Sequence, residues 1–132
     1  MADPSALELL LVYGTLKRGH ANHQHLAGAH FVQEATLERL VLHDLGPFPM
    51  AVPGDGQVNG ELYRLSAEHW PALDYLEGVP RLYSRWRWRS SEGHWLWVYL
   101  GSLRQVRHAR QLKDGVWSGV SRPGRQDERL DA

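Results

Sequence analysis

The run Leu9-Leu10-Leu11-Val12-Tyr13-Gly14-Thr15-Leu16-Lys17-Arg18-Gly19 limits what this chain can fold into more than any other stretch. Apolar or aromatic residues in unbroken succession up to Tyr13 suit a strand covered on both faces, so something must pack above it and below it. The strand then stops in a loop bracketed by Gly14 and Gly19. Glycine where a buried strand ends lets main-chain N–H groups approach a ligand closely. Such a loop holds a carboxylate or a developing oxyanion with backbone donors alone. It carries no nucleophile beyond the weak hydroxyl of Thr15, so a catalytic group must come from elsewhere.

A chain of 132 residues is most simply one domain, here expected over residues 1–120 with a polar, disordered tail over 121–132. It has no cysteine, which fits a reducing compartment and a cytoplasmic location. No apolar run approaches the ~20 residues needed to cross a bilayer. The start, Met1-Ala2-Asp3-Pro4-Ser5, lacks the basic segment of a signal peptide, so Leu7 to Val12 reads as the first core strand. Net charge is zero but uneven, −6 over residues 1–80 and +6 over residues 81–132. That asymmetry permits a polyanion-binding face. The neutral total favours two halves that interleave in one fold, with no nucleic-acid or membrane partner.

Further along, Asn22 to Gly28 suggests a short helix capped by Asn22 and ended by Gly28. Phe31–Ala35 and Leu40–Leu45 read as two strand pieces, and Gly46-Pro47-Phe48-Pro49 as a stiff corner with Phe48 turned inward. Gly54-Asp55-Gly56 signals a turn. Val58–Leu65 is a strand in which Gly60 marks a bulge or a close backbone approach. Ser66–Gly78 is the clearest helix, unless Pro71 opens a shorter one after a turn at Ser66–Trp70. Leu82–Arg89 and His94–Leu100 form a hairpin. Its first arm alternates Trp86 and Trp88, expected buried, with Arg85, Arg87 and Arg89, expected solvated. The second arm is apolar on both faces and belongs in the middle of a sheet. This alternation accounts for the Trp/Arg hairpin without nucleic acid. His20, His23 and His25 fit a helix face only partly and lack an obvious fourth metal ligand.

One residue stands on the wrong face. Trp70, Leu73 and Glu77 stack on one side of a helix, which places an acid in line with an apolar stripe. Unless paired, such an acid is desolvated, and its pKa rises from ~4.3 toward values useful to a base at neutral pH. Asp44 and Asp74 read as a turn residue and a solvated helix face.

Tyr13-Gly14-Thr15-Leu16-Lys17-Arg18-Gly19 with Asn22 resembles the signature loop of the gamma-glutamylcyclotransferase-like family. Leu73-Asp74-Tyr75-Leu76-Glu77-Gly78 followed by Tyr83-Ser84-Arg85 resembles its second signature. Gly46-Pro47-Phe48-Pro49, Gly60-Glu61-Leu62-Tyr63, Val98-Tyr99-Leu100 and Gly115-Val116-Trp117 match further family elements in the same order, so the resemblance runs from Leu9 to Trp117. It implies an α+β single domain, a strongly curved, barrel-like mixed β-sheet with a few short helices. It also implies an activity: cyclisation of a gamma-glutamyl amine or gamma-glutamyl amino acid to release 5-oxoproline and the free amine. By position, Glu77 matches the general acid/base. Tyr13, Gly14, Thr15 and Leu16 match the loop that binds the glutamyl moiety, and Tyr83 matches a pocket-lining tyrosine. The resemblance implies no metal and no cofactor, a small-molecule partner, and a monomer or weak dimer. The alternatives are a non-catalytic ligand-sensing module that keeps the pocket, and a tailoring enzyme that removes a gamma-glutamyl protecting group.

Overall fold

The leucine-rich run is the strand β1 (Glu8–Val12), and both of its faces are covered. Alternate side chains take opposite sides, as the twofold period of a strand requires. Leu10 and Val12 join one apolar cluster with Met50, Val52, Leu65, Trp70 and Leu73. Leu11 and Tyr13 join another with Leu37, Leu40, Leu62, Val98 and Trp117. The computed structural model describes residues 8–119, so the tail expected over 121–132 lies outside the described residues.

Five further strands complete the sheet: β2 (His30–Asp44), β3 (Pro49–Leu65), β4 (Ser84–Arg89), β5 (Trp95–Leu100) and β6 (Arg110–Gln111). Their order is β4-β5-β1-β3-β2-β6. β1 runs parallel to β5, and every other neighbouring pair is antiparallel. The sheet curls into a half-barrel, and the Trp88 indole N–H of β4 donates to the Glu38 carbonyl of β2 at 2.9 Å. Two short helices, α1 (Trp70–Leu76) and α2 (Leu103–Val106), and two 3-10 turns, His23–Leu26 and Ala67–His69, complete the domain. β5 sits inside the sheet, as its apolar sequence requires.

Several sequence expectations change. The two pieces either side of Thr36–Arg39 are one strand, because β2 bends at bulges rather than breaking. Gly54-Asp55-Gly56 is not a turn. Glu38 pairs with Gln57 and Leu40 with Pro53, so these three residues oppose Arg39 alone in a wide bulge, with Arg39 at φ 66°. A Cβ on Gly54 would sit 2.8 Å from Val41 Cγ2, so glycine is there for room at the bend. Gly60 is a close approach, since a Cβ there would overlap the Val12 carbonyl. Pro71 does open the shorter helix, after the 3-10 turn. Trp88 is half-buried, but Trp86, on the same edge strand, is 52% exposed. Of the β4 arginines, Arg87 and Arg89 are exposed as expected, and Arg85 is partly buried. Arg85 lies over Trp70 and Trp97, and Arg87 over Trp95 and Trp97. α2 and β6 carried no periodic signal in the sequence and are too short to have shown one.

Candidate active site

β1 ends at Val12, and the chain turns through Gly14–Leu16 along the wall of a cavity of about 290 Å³. Backbone bonds from Lys17 N–H to the Gly14 carbonyl (3.1 Å) and from Asn22 N–H to the Thr15 carbonyl (2.8 Å) hold the loop's shape. The Asn22 side chain caps no helix; its amide donates to Thr15 Oγ1 at 2.9 Å. The main-chain N–H groups of Gly14, Thr15 and Leu16 have no acceptor among the described residues. Consecutive unpaired amides in a buried loop form a concavity that attracts negative charge. Gly14 serves a purpose the sequence did not indicate. A Cβ there would lie 2.8 Å from Cγ and Cδ of Pro49, so its missing side chain makes room for the proline ring.

Facing this loop is the end of α1. Glu77 N–H donates to the Leu73 carbonyl at 2.9 Å, and Gly78, at φ 66°, turns the chain out of the helix. The Glu77 side chain borders the same cavity as Tyr13–Leu16, and its carboxylate has no hydrogen bond or ion pair among the described residues. Burial alone pushes its pKa up from 4.5 to about 7. Tyr83 is tied to the same corner, with its N–H on the Glu77 carbonyl at 3.3 Å and its hydroxyl donating to the Pro49 carbonyl. Tyr13 donates to the Tyr99 carbonyl at 2.6 Å and accepts the Ala51 N–H at 3.1 Å. Its side chain therefore anchors the wall, with the hydroxyl already fully engaged. Burial raises the pKa of Tyr13, Tyr83 and Tyr99, keeping all three as neutral phenols.

All six residues singled out from the sequence, Glu77, Tyr13, Gly14, Thr15, Leu16 and Tyr83, thus border one cavity. Others complete the lining: Asn22 and Ala21 beside the loop, Pro47, Phe48 and Pro49 at the corner, Leu76 and Leu82 near the helix end, and Tyr99 from β5. Tyr99 was missed as a site residue because an aromatic in an all-apolar strand looks like core. Asp74 was misread as a solvated carboxylate. It accepts the Tyr99 hydroxyl at 2.7 Å and pairs with Arg85 at 3.2 Å. Asp44 does act in a turn, accepting the Gly46 N–H. A larger cleft of about 520 Å³, near the β4–β5 tip, is lined by Lys17, Glu34, Glu61, Glu92 and His94 among others. It contains neither Glu77 nor the unpaired amides. Among the described residues no helix is long and apolar enough to cross a membrane.

Residues 10–119 match the model of the family described as gamma-glutamyl cyclotransferase, AIG2-like. The chain is 30% identical over 109 residues to the gamma-glutamylcyclotransferase family protein YtfP of Escherichia coli, covering 82% of this chain and 94% of that one. It is 37% identical over 90 residues to human gamma-glutamylaminecyclotransferase, covering 60% of this chain and 59% of the human protein. The solution structure of Escherichia coli ytfP superposes with a TM-score of 0.63 at 31% identity, over 83% of this chain and 95% of that one.

Proposed function

This chain belongs to the gamma-glutamyl cyclotransferase, AIG2-like family, and on that premise we propose that it closes the glutamyl unit of a gamma-glutamyl amine or gamma-glutamyl amino acid on itself, releasing 5-oxoproline and the free amine, with Glu77 as general acid and base. The observation that carries the reading is the pairing of an unpartnered, desolvated carboxylate with three unpartnered loop amides across one small cavity.

The substrate contains both reactants. Its alpha-amine must lose a proton before it can attack its own gamma-carbonyl carbon. A carboxylate with a pKa near 7 takes that proton more readily than an exposed one, and at neutral pH both of its protonation states are accessible, so the same group can give the proton back. Nitrogen attack forms the five-membered ring and a tetrahedral oxyanion. On collapse the carbonyl re-forms, the bond to the leaving nitrogen breaks, Glu77 gives that nitrogen the proton it took, and the ring nitrogen sheds its extra proton to the released amine, which departs as an ammonium. Fixed amides of Gly14–Leu16 hold negative charge of the glutamyl unit without reorganising during the reaction. Cavity walls that fold the flexible glutamyl chain into a cyclising shape lower the barrier by several kcal/mol, of order ~5.

The lining also bears on the leaving group. Among the described residues no lysine or arginine borders the cavity. A gamma-glutamyl amino acid brings a second carboxylate, which would find no cationic side chain among the described lining residues. An alkyl amine or a side-chain amine brings no such charge. The test is 5-oxoproline release over a panel of gamma-glutamyl amines and gamma-glutamyl dipeptides. The expected result is turnover, with amines ahead of alpha-linked amino acids by about tenfold or more in kcat/KM. No turnover on any member, with 5-oxoproline still bound, would replace the enzyme reading with a ligand-sensing one.

A further inference from the structure

We propose that Arg85 is a positioning residue for this reaction: seated in the corner formed by Trp70 and Trp97, it holds and neutralises Asp74, which together with Tyr99 fixes the Glu77 end of α1 against the amide loop. The inference rests on the function proposed above for the cavity.

The connections are continuous. The Arg85 guanidinium lies 4.2 Å from the centre of the Trp70 ring on α1 and 5.0 Å from that of Trp97 on β5. Two aromatic walls on different elements leave a planar cation little freedom, which a free surface arginine would retain. From there Arg85 Nη2 reaches Asp74 Oδ2 at 3.2 Å, and the other carboxylate oxygen, Oδ1, accepts the Tyr99 hydroxyl at 2.7 Å. Tyr99 continues the path inward, since its carbonyl accepts the Tyr13 hydroxyl at 2.6 Å, one residue before Gly14. The network begins at a half-exposed arginine and ends at the loop that carries the unpaired amides. Asp74 also anchors the helix end directly, its carbonyl accepting the Val79 N–H at 3.0 Å.

Asp74 and Glu77 are three residues apart, about one turn of helix, Asp74 within α1 and Glu77 capping its C-terminal end. The groups facing Glu77 from the other packed elements are the phenols Tyr13, Tyr83 and Tyr99. The Pro47–Pro49 corner brings no charge. Asp74 is the other acid of this helix segment, and Arg85 is the cation paired with it. A half-exposed ion pair that merely braced the fold would contribute little and would leave the chemistry of Glu77 alone.

The experiment uses the full chain. The titration midpoint of the Glu77 carboxyl is read by carbon NMR, with the signal assigned by its loss in Glu77→Gln. Arg85→Met should raise the midpoint by about 0.5–1 pH unit, because Asp74 is then unneutralised. Asp74→Asn, which leaves the cation, should lower it. The double variant Asp74→Asn/Arg85→Met should return it to near the parent value. Arg85→Lys should keep the midpoint but lower kcat several-fold with KM little changed, since it restores charge without the flat stacking. A midpoint that stays put in Arg85→Met, or single variants that shift it in the same direction, overturns the proposal. The midpoint needs no turnover. A protein inactive on every gamma-glutamyl compound would lose the cyclotransferase reading, while the opposed shifts would still decide whether Arg85 acts on Glu77.

Discussion

At the scale of single residues, Glu77 concentrates the chemistry. Its carboxylate has no partner, so nothing offsets the loss of water around its charge, and the pKa rises to about 7. Two consequences follow from that one fact. Glu77→Gln should lower kcat by ~10² to 10⁴-fold in a folded protein, read as 5-oxoproline release; near-normal turnover would remove Glu77 as the base. The second consequence concerns stability. Between about pH 4.5 and 7 the folded chain binds this proton more tightly than the unfolded chain does. Stability from this group is complete below pH 4.5 and is lost as the pH rises through 7. Glu77→Gln should therefore match the parent at pH 4 and exceed it at pH 8, by on the order of 1–3 kcal/mol. Chemical denaturation at the two pH values checks it, and an equal difference at both would show that the carboxyl is not desolvated.

At the scale of elements, the site depends on how the β1 loop seats against the start of β3. Pro49 occupies the space a side chain at 14 would need, and the Pro49 carbonyl accepts the Tyr83 hydroxyl. Loop, corner and the segment after α1 therefore meet at one proline. Gly14→Val should push the loop off Pro49, cost about 1–3 kcal/mol as overpacking does, and weaken 5-oxoproline binding at least tenfold. Calorimetric titration of the variant reads it, and unchanged affinity would detach the loop from the ligand. α1 is equally dependent on its neighbours. Seven residues are too few to hold a helix by propensity, and it stands because Trp70 and Leu73 are buried against the sheet.

At the scale of the whole molecule, the curl of the sheet brings β1, β3, β5 and α1 around one cavity. The wide bulge at Gly54–Gly56 bends the long β2–β3 pair, and the Trp88 to Glu38 hydrogen bond links the two sides of the half-barrel. Trp88 packs against the second apolar cluster, away from the cavity. Trp88→Phe should lower stability by roughly 0.5–1.5 kcal/mol through the lost hydrogen bond while kcat/KM stays within twofold. An activity loss out of proportion to the stability loss would mean that this link also shapes the cavity.

The sequence by itself determined what local physics decides. An unbroken apolar run had to be a strand covered on both faces, and Glu77, in line with Trp70 and Leu73, had to be a misplaced acid. Pro71 marked one of two possible helix starts, and the structure chose the shorter helix that it opens. What only the tertiary structure decided depended on pairing and proximity. Gly54-Asp55-Gly56 has the composition of a turn, but the register of β2 against β3 makes it a bulge. Gly14 was legible as a place for close approach, and only the seating of Pro49 showed what approaches. Asp74 looked like a solvated helix face because Tyr99 and Arg85, its partners, lie 25 and 11 positions away. Periodicity within a segment fixes which side a residue takes; the partner waiting on that side comes from a distant part of the chain, which no local pattern encodes.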